Sequence, residues 1–180
     1  ALGNHMDILI GAGKYFEKID DNYYKYFDEE SQDYMKVSYN IVKKFISRTF
    51  NMEFTTVMQN VDFDFSFTLK LKYHGFPHIS DAYFAGKKDE KYKEVECIFN
   101  DEKLMKKLVK LASQVDLAYF KIEYISIAQK LKITICPYAG SYLWVVFPPV
   151  FYSLQLKEEE MNVLYEMGTL IRDYVSESLS

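Results

Sequence analysis

Gln32 to Phe50, QDYMKVSYNIVKKFISRTF, is the stretch whose period sets the fold class. Tyr34, Ser38, Ile41, Phe45, Ile46 and either Thr49 or Phe50 recur at three- and four-residue steps, the spacing of one helical face. Upstream, between Asp7 and Phe27, the residues Ile8, Ala12, Tyr15, Phe16, Ile19, Tyr23, Tyr26 and Phe27 repeat at the same steps, until Asp28-Glu29-Glu30-Ser31 interrupts them. Two amphipathic helices around a polar break predict an N-terminal helical hairpin over residues 7–50. Ahead of it, ALGNHM at residues 1–6 reads as a cloning remnant, since a His-Met junction is what a common restriction site leaves before a start codon.

Beyond the hairpin the period changes to two. From Val61 to Tyr73 the odd positions are apolar (Val61, Phe63, Phe65, Phe67, Leu69, Leu71, Tyr73) and the even ones polar, which predicts a strand with one buried face. It is longer than the usual five or so residues, so a bulge or a projecting arm is expected. Tyr92 to Phe99, with Val95, Cys97 and Phe99 on one face, reads as the second arm of a β-hairpin after the polar turn at Gly86–Glu90. Asn100-Asp101 caps a helix reaching about Gln114, with Leu104, Leu108, Leu111, Ala112 and Val115 inward and Lys103, Lys106, Lys107 and Lys110 outward. Strands follow at Leu117–Ser126, around Leu131–Ile135 and at Tyr142–Phe147, the last apolar throughout and so expected to be buried on both faces. A short strand at Val150–Leu156 and a helix from Glu158 to Val175 close the chain, with Glu158-Glu159-Glu160 at the positive end of the helix dipole.

The expected class is therefore α+β: a single domain over residues 7–180, with the hairpin followed at 51–180 by a mostly antiparallel sheet of five to seven strands and two helices packed mainly on one face. In element order alone this is similar to profilin-like, longin and roadblock domains and to type III secretion chaperones.

Composition narrows the function. The chain has 180 residues and is 17% aromatic, with 16 Tyr and 14 Phe against one Trp, more rings than its core requires. A net charge of −4 and a pI near 5.5 argue against a general nucleic-acid binder, which needs a basic footprint. Cys97 and Cys136 have no metal-type spacing, and their number suits a reduced, cytoplasmic setting. The apolar run Tyr142–Tyr152 falls well short of the roughly 20 residues of a spanning helix, so no membrane partner is expected.

Candidate chemistry is sparse. Met6 taken as the start makes His74 and His78 the native histidines; with Asp81 they offer imidazole and carboxylate ligands for zinc or another divalent metal. Against this, Gly75 and Pro77 read as a chain reversal, and no third or fourth strong ligand is adjacent. Asp62 and Asp64 share a strand face, but about ten residues at about 3.3 Å each separate Asp64 from His74. Cys136 begins CPYAGSY, which has Ala139 where a dithiol motif needs a second cysteine, and Pro137 with Gly140 suits a tight turn.

No nucleophile-base pair, phosphate-cradling loop or dinucleotide fingerprint is readable among seven glycines, which favours a non-catalytic reading without a cofactor. The first expectation is a protein-binding module of chaperone, immunity or scaffold type. It would bind another protein or a second copy of itself through Tyr23, Tyr26, Tyr138, Tyr142 and Trp144. The alternatives are a metal-assisted hydrolase or nuclease centred on His74, His78 and Asp81, and a small-ligand sensor with a pocket lined by Phe63, Phe65, Phe67 and Trp144.

Overall fold

The computed structural model describes residues 16–20, 23–27, 32–74 and 81–178. Gln32–Phe50 is extended: strand β3 (Tyr34–Lys43) turns at Lys44–Ile46 into β4 (Ser47–Met58), and the two pair antiparallel from Tyr34↔Val57 to Lys43↔Arg48. Upstream, β1 (Glu17–Asp20) and β2 (Tyr23–Phe27) are also strands. The expected helical hairpin is thus absent from the described residues, and residues 7–15 of its first helix lie outside them. The analogy of element order to profilin-like domains and secretion chaperones falls with it.

The physical reason is a second pattern inside the same stretch. Met35, Val37, Tyr39 and Ile41 alternate with Lys36, Ser38 and Asn40, and Met35 and Val37 are buried. A helical face would have placed Ser38 in its centre. Val, Ile, Thr, Tyr and Phe, which dominate Tyr34–Phe50, lose side-chain freedom in a helix and fit a pleated surface.

Val61–Ser66 carries the expected alternation without forming a ladder, and strand β5 begins only at Phe67 (Phe67–His74). Phe63 and Phe65 still point inward, since Phe63 meets Phe67 and Tyr124 at 5.1 Å and Phe65 meets Tyr92 at 5.6 Å. The Tyr124 hydroxyl ties this loop down by donating to the Val61 carbonyl at 2.9 Å. After β6 (Asp81–Ala85), residues expected to be a strand form helix α1 (Glu90–Phe99). Asp89 caps it by accepting from the Lys91 N–H, and Tyr92, Val95 and Phe99 form its buried stripe while Cys97 is exposed.

Helix α2 (Glu102–Ala112) follows, with Asp101 accepting from the N–H groups of Lys103 and Leu104. Then come β7 (Leu117–Ile125), β8 (Lys130–Pro137), β9 (Tyr142–Val145), β10 (Val150–Ser153) and the final helix α3 (Glu158–Ser178). In place of five to seven strands, ten among the described residues form one antiparallel sheet, ordered β1-β2-β3-β4-β8-β7-β5-β6, with β9 attached to β4 and β10 to β9. Three helices accompany it among the described residues, none of them from the expected hairpin.

α3 lies across β4 and β8, beside α2. Between helices and sheet sit Met35, Val37, Met52, Phe54, Phe120, Ile122, Ile133, Ile135, Leu164 and Ile171, all buried. The opposite sheet face is polar, and there Lys121 and Lys132 lie 3.0 and 3.9 Å from Glu123. Gly168 lets α3 approach closely: a Cβ there would sit 2.7 Å from Thr56 Oγ1 and 3.6 Å from the Phe54 ring. Gly168→Val is therefore expected to lower stability by about 1–3 kcal/mol through overpacking. Thermal melting checks this, with a fall of roughly 3–10 °C in Tm.

Candidate binding surface

β4 is longer than either strand on its far side. Its inner half pairs with β8 (Phe54↔Ile135 to Met58↔Leu131) and its outer half with β9 (Ser47↔Val145 to Phe50↔Tyr142). β10 pairs only with β9, from Val150↔Val145 to Ser153↔Tyr142. The outer parts of β3 and β4 together with β9 and β10 thus form a four-stranded arm. Its root is fixed at Gly140, which has φ +78 and donates its N–H to the Leu154 carbonyl at 2.8 Å. The Tyr39 hydroxyl donates to the Gly140 carbonyl at 3.0 Å, and its pKa is pushed up to about 12, chiefly by burial.

Side chains directly paired across an antiparallel ladder share a face. Met52 and Phe54 face the helices, so Phe50 and Arg48, of the same parity on β4, continue that face into the arm. With them lie Tyr39 and Ile41 on β3, Tyr142 and Trp144 on β9, and Phe151 on β10. Phe50 and Tyr142 stack at 4.2 Å, Tyr39 meets Tyr142 edge-on at 5.2 Å, and Tyr142 meets Phe151 at 5.4 Å. The Arg48 guanidinium covers the Trp144 ring at 5.3 Å. This is core-type chemistry, yet Phe151 is 64% exposed, Trp144 39% and Ile41 45%.

The expectation that Tyr142–Phe147 is buried on both faces is corrected by the same exposure. Only Tyr142–Val145 is a strand, all four residues are at least partly exposed, and Val146 and Phe147 lie in the turn beyond. The apolar run reflects an uncovered arm.

The sheet's edges differ in kind. At β6, Asn100 takes the place of a next strand: its Oδ1 accepts from the Phe84 N–H at 2.6 Å and its Nδ2 donates to the Phe84 carbonyl at 2.8 Å. β1 is short, has a register shift between Lys18 and Asp20, and carries charged residues, features that discourage edge pairing. β10, VFYS, is exposed at every position, carries no charge or proline, and has no strand on its outer side among the described residues.

Of the residues expected to bind, Tyr142 and Trp144 come together on this arm. Tyr138, exposed, lies just before it in the β8–β9 turn. Tyr23 and Tyr26 are elsewhere, on β2; Tyr26 packs toward the core, 6.1 Å from Phe16, and Tyr23 lies under the Lys36 ammonium at 5.9 Å. Phe45, Phe147, Phe151 and Tyr152 are not marked as surface residues by local period, since Phe45 fits a helix stripe and Phe147 a buried strand. The sequence signal for them is charge: Tyr34–Met52 and Tyr138–Lys157 contain no Asp or Glu in a chain of net charge −4.

His74 and Asp81 face each other across β5 and β6, and the His74 ring stacks on Tyr83 at 6.2 Å; His78 lies outside the described residues. Among the described residues no three His, Cys, Asp or Glu side chains converge as a metal site. Asp62 and Asp64 are exposed in the loop before β5. Phe63, Phe65 and Phe67 pack with Tyr92, Phe99 and Tyr124, whereas Trp144 is on the arm, so these four aromatics do not line one pocket. A cleft of ≈ 620 Å³ separates α2 from α3, where Lys107 and Lys110 face Glu166 and Asp173.

Cys136 is buried, its Sγ donates to the Pro137 carbonyl at 3.6 Å, and burial pushes its pKa up to about 11. The thiol therefore stays protonated at neutral pH, the opposite of what a nucleophile requires. Beside it Tyr119 donates to Glu53, and burial together with that bond raises the Tyr119 pKa.

Fold and surface define a class: an antiparallel-sheet protein with helices on one face and an uncovered aromatic arm at one end. The chain belongs to the family described as protein of unknown function, DUF3156, which it matches over residues 13–175. Comparison with curated proteins and with solved structures returned no match. No helix among the described residues is long and apolar enough to cross a membrane.

The thiol environments give a direct check. A thiol-disulfide reagent should titrate exposed Cys97 quickly in the native protein and reach Cys136 only after denaturation. Two fast thiols in the native state would contradict the burial of Cys136.

Proposed function

We propose that this chain is a non-catalytic binding module that takes a segment of another protein onto the helix-side face of the arm, alongside β10. The observation that carries the reading is the unbroken parity of β4. The side that is core at Met52 and Phe54 runs on as Phe50, Tyr142, Trp144 and Phe151 with no helix over it among the described residues. A strand added at β10 would gain main-chain hydrogen bonds along an uncharged edge and side-chain contacts with the adjoining rings. Tyr and Trp suit such a surface because they bury much area with few rotatable bonds.

Two features support a built surface. The rings of Tyr39, Phe50 and Tyr142 are fixed against one another, which lowers the ordering cost of binding. The β6 edge is closed by a dedicated side chain while β10 has no outer partner strand among the described residues, a contrast expected where one edge is used.

Phe151→Lys and Tyr152→Lys test this without touching the core, since both side chains are largely exposed. Sedimentation of the purified protein, and recovery of bound protein from cell extract, should show a complex that is weakened about tenfold or more in the variants. Hydrogen exchange at residues 150–153 should slow in the complex. A wild-type complex unaffected by both variants would place binding elsewhere. A monomer with no recoverable protein partner would end this reading.

A further inference from the structure

The arm ends in two turns side by side. Lys44–Ile46 joins β3 to β4, Val146–Pro149 joins β9 to β10, and the Val146 N–H donates to the Ile46 carbonyl at 2.8 Å. At this end Phe45 is fully exposed and Phe147 is 79% exposed, with Ile46 and Val146 about half-exposed beside them. Lys43 and Arg48 face each other across the ladder immediately behind Phe45, and Lys44 lies in the turn itself. We infer that these paired tips are a membrane-docking site: Phe45 and Phe147 enter the interfacial region of an anionic lipid bilayer while Lys43, Lys44 and Arg48 contact lipid phosphates and carboxylates.

Charge is the first argument for a lipid surface. In the arm, residues 39–52 and 140–154, the only charged residues are Lys43, Lys44 and Arg48. The rest of the chain therefore carries −4 − 3 = −7, so the arm is a cationic projection from an acidic body. Basic groups near an anionic leaflet are attracted by about 1 kcal/mol each, or roughly fivefold in affinity.

Shape and depth form the second argument. The most exposed rings, Phe45 and Phe147, lie in the turns at the end of the arm, whereas Phe50, Tyr142 and Phe151 pack on one another along the sheet face. Trp144 lies on β9, set back from the Val146–Pro149 turn that carries Phe147. An indole behind the tip suits the headgroup level where Trp is enriched, with Phe147 at the acyl boundary.

Backbone polarity is the third. Entry into a low-dielectric region is costly for bare N–H and C=O groups. At the tips the Lys44 N–H donates to the Ser47 carbonyl at 2.8 Å, the Val146 N–H is paired with Ile46, and Pro148 and Pro149 have no N–H, while the Phe45, Ile46 and Phe147 N–H groups bond to no backbone carbonyl among the described residues, which confines docking to the hydrated interfacial depth. The expectation of no membrane partner came from the absence of a spanning segment, and interfacial docking needs none.

The single tryptophan makes the test direct. The full chain is mixed with vesicles of phosphatidylcholine alone, or with about 30% phosphatidylserine, and followed by co-sedimentation and Trp144 emission. The expected result is binding to the anionic vesicles with a blue shift of Trp144, weakened by salt. Lys43→Glu with Lys44→Glu should cut affinity more than tenfold, as should Phe45→Ser with Phe147→Ser. Phe151→Lys, which tests the protein-binding face, should leave vesicle binding within about twofold, so the two proposals fail separately. Equal affinity for both vesicle types, or binding indifferent to the tip variants, would overturn the inference. Absence of vesicle binding alongside salt-sensitive binding to polyglutamate would overturn it in favour of an acidic protein partner.

Discussion

Strand β4 is the element on which the rest is hung. It keeps one partner, β3, from Arg48 to Val57 on one side, and changes partner on the other, from β8 along Phe54–Met58 to β9 along Ser47–Phe50. The change occurs without a register shift against β3, so side-chain parity is conserved from one end to the other. Around it the Met52 N–H donates to Ser141 Oγ at 3.1 Å, and Gly140 supplies the backbone turn that an L side chain would resist. The same parity that builds the core under α3 then dictates an apolar face where α3 no longer reaches. The arm's chemistry is thus a consequence of β4 being longer than the layer above it.

Much of the chain beyond Asn100 was legible in its sequence. Asp101 ahead of Leu104, Leu108 and Ala112 marks α2, alternation marks β7 and β8, and Glu158-Glu159-Glu160 opens α3. These elements have patterns of one period and clear caps or turns. The first half failed where two periods coexist. Tyr34–Phe50 satisfies a helical stripe through Tyr34, Ser38 and Ile41 and a strand alternation through Met35, Val37 and Tyr39. Position Ser38 separates them, because it is tolerable on a solvated strand face and poor at the centre of a buried helix stripe. In Tyr92–Phe99 the error is the reverse: Val95 and Phe99 fit either period, and the deciding residue is Asp89, an N-cap four residues before Lys93.

The surface was legible in composition and not in position. An aromatic excess signals exposed rings, but which rings depends on where the helix layer stops, a tertiary fact that no local period encodes. Tyr138 and Tyr142 border the turn built on Pro137 and Gly140, and Trp144 follows on β9. Tyr26 was not distinguishable from them in sequence, yet it packs toward the core beside Phe16 because β2 pairs with β3 and presents alternate residues to the helix side.

The Asn100 amide that stands in for a strand beside Phe84 has a consequence for how far such a sheet can extend. Head-to-tail growth into a fibre requires two usable edges on every subunit. Here one end is occupied by a side chain, and the β1 end is short, charged and out of register. If two β10 edges were to meet, the contact would be two-fold symmetric and would consume both, leaving nothing for a third chain to join. An uncharged edge at β10, unpaired on its outer side among the described residues, is thereby compatible with pairing that stops at two chains.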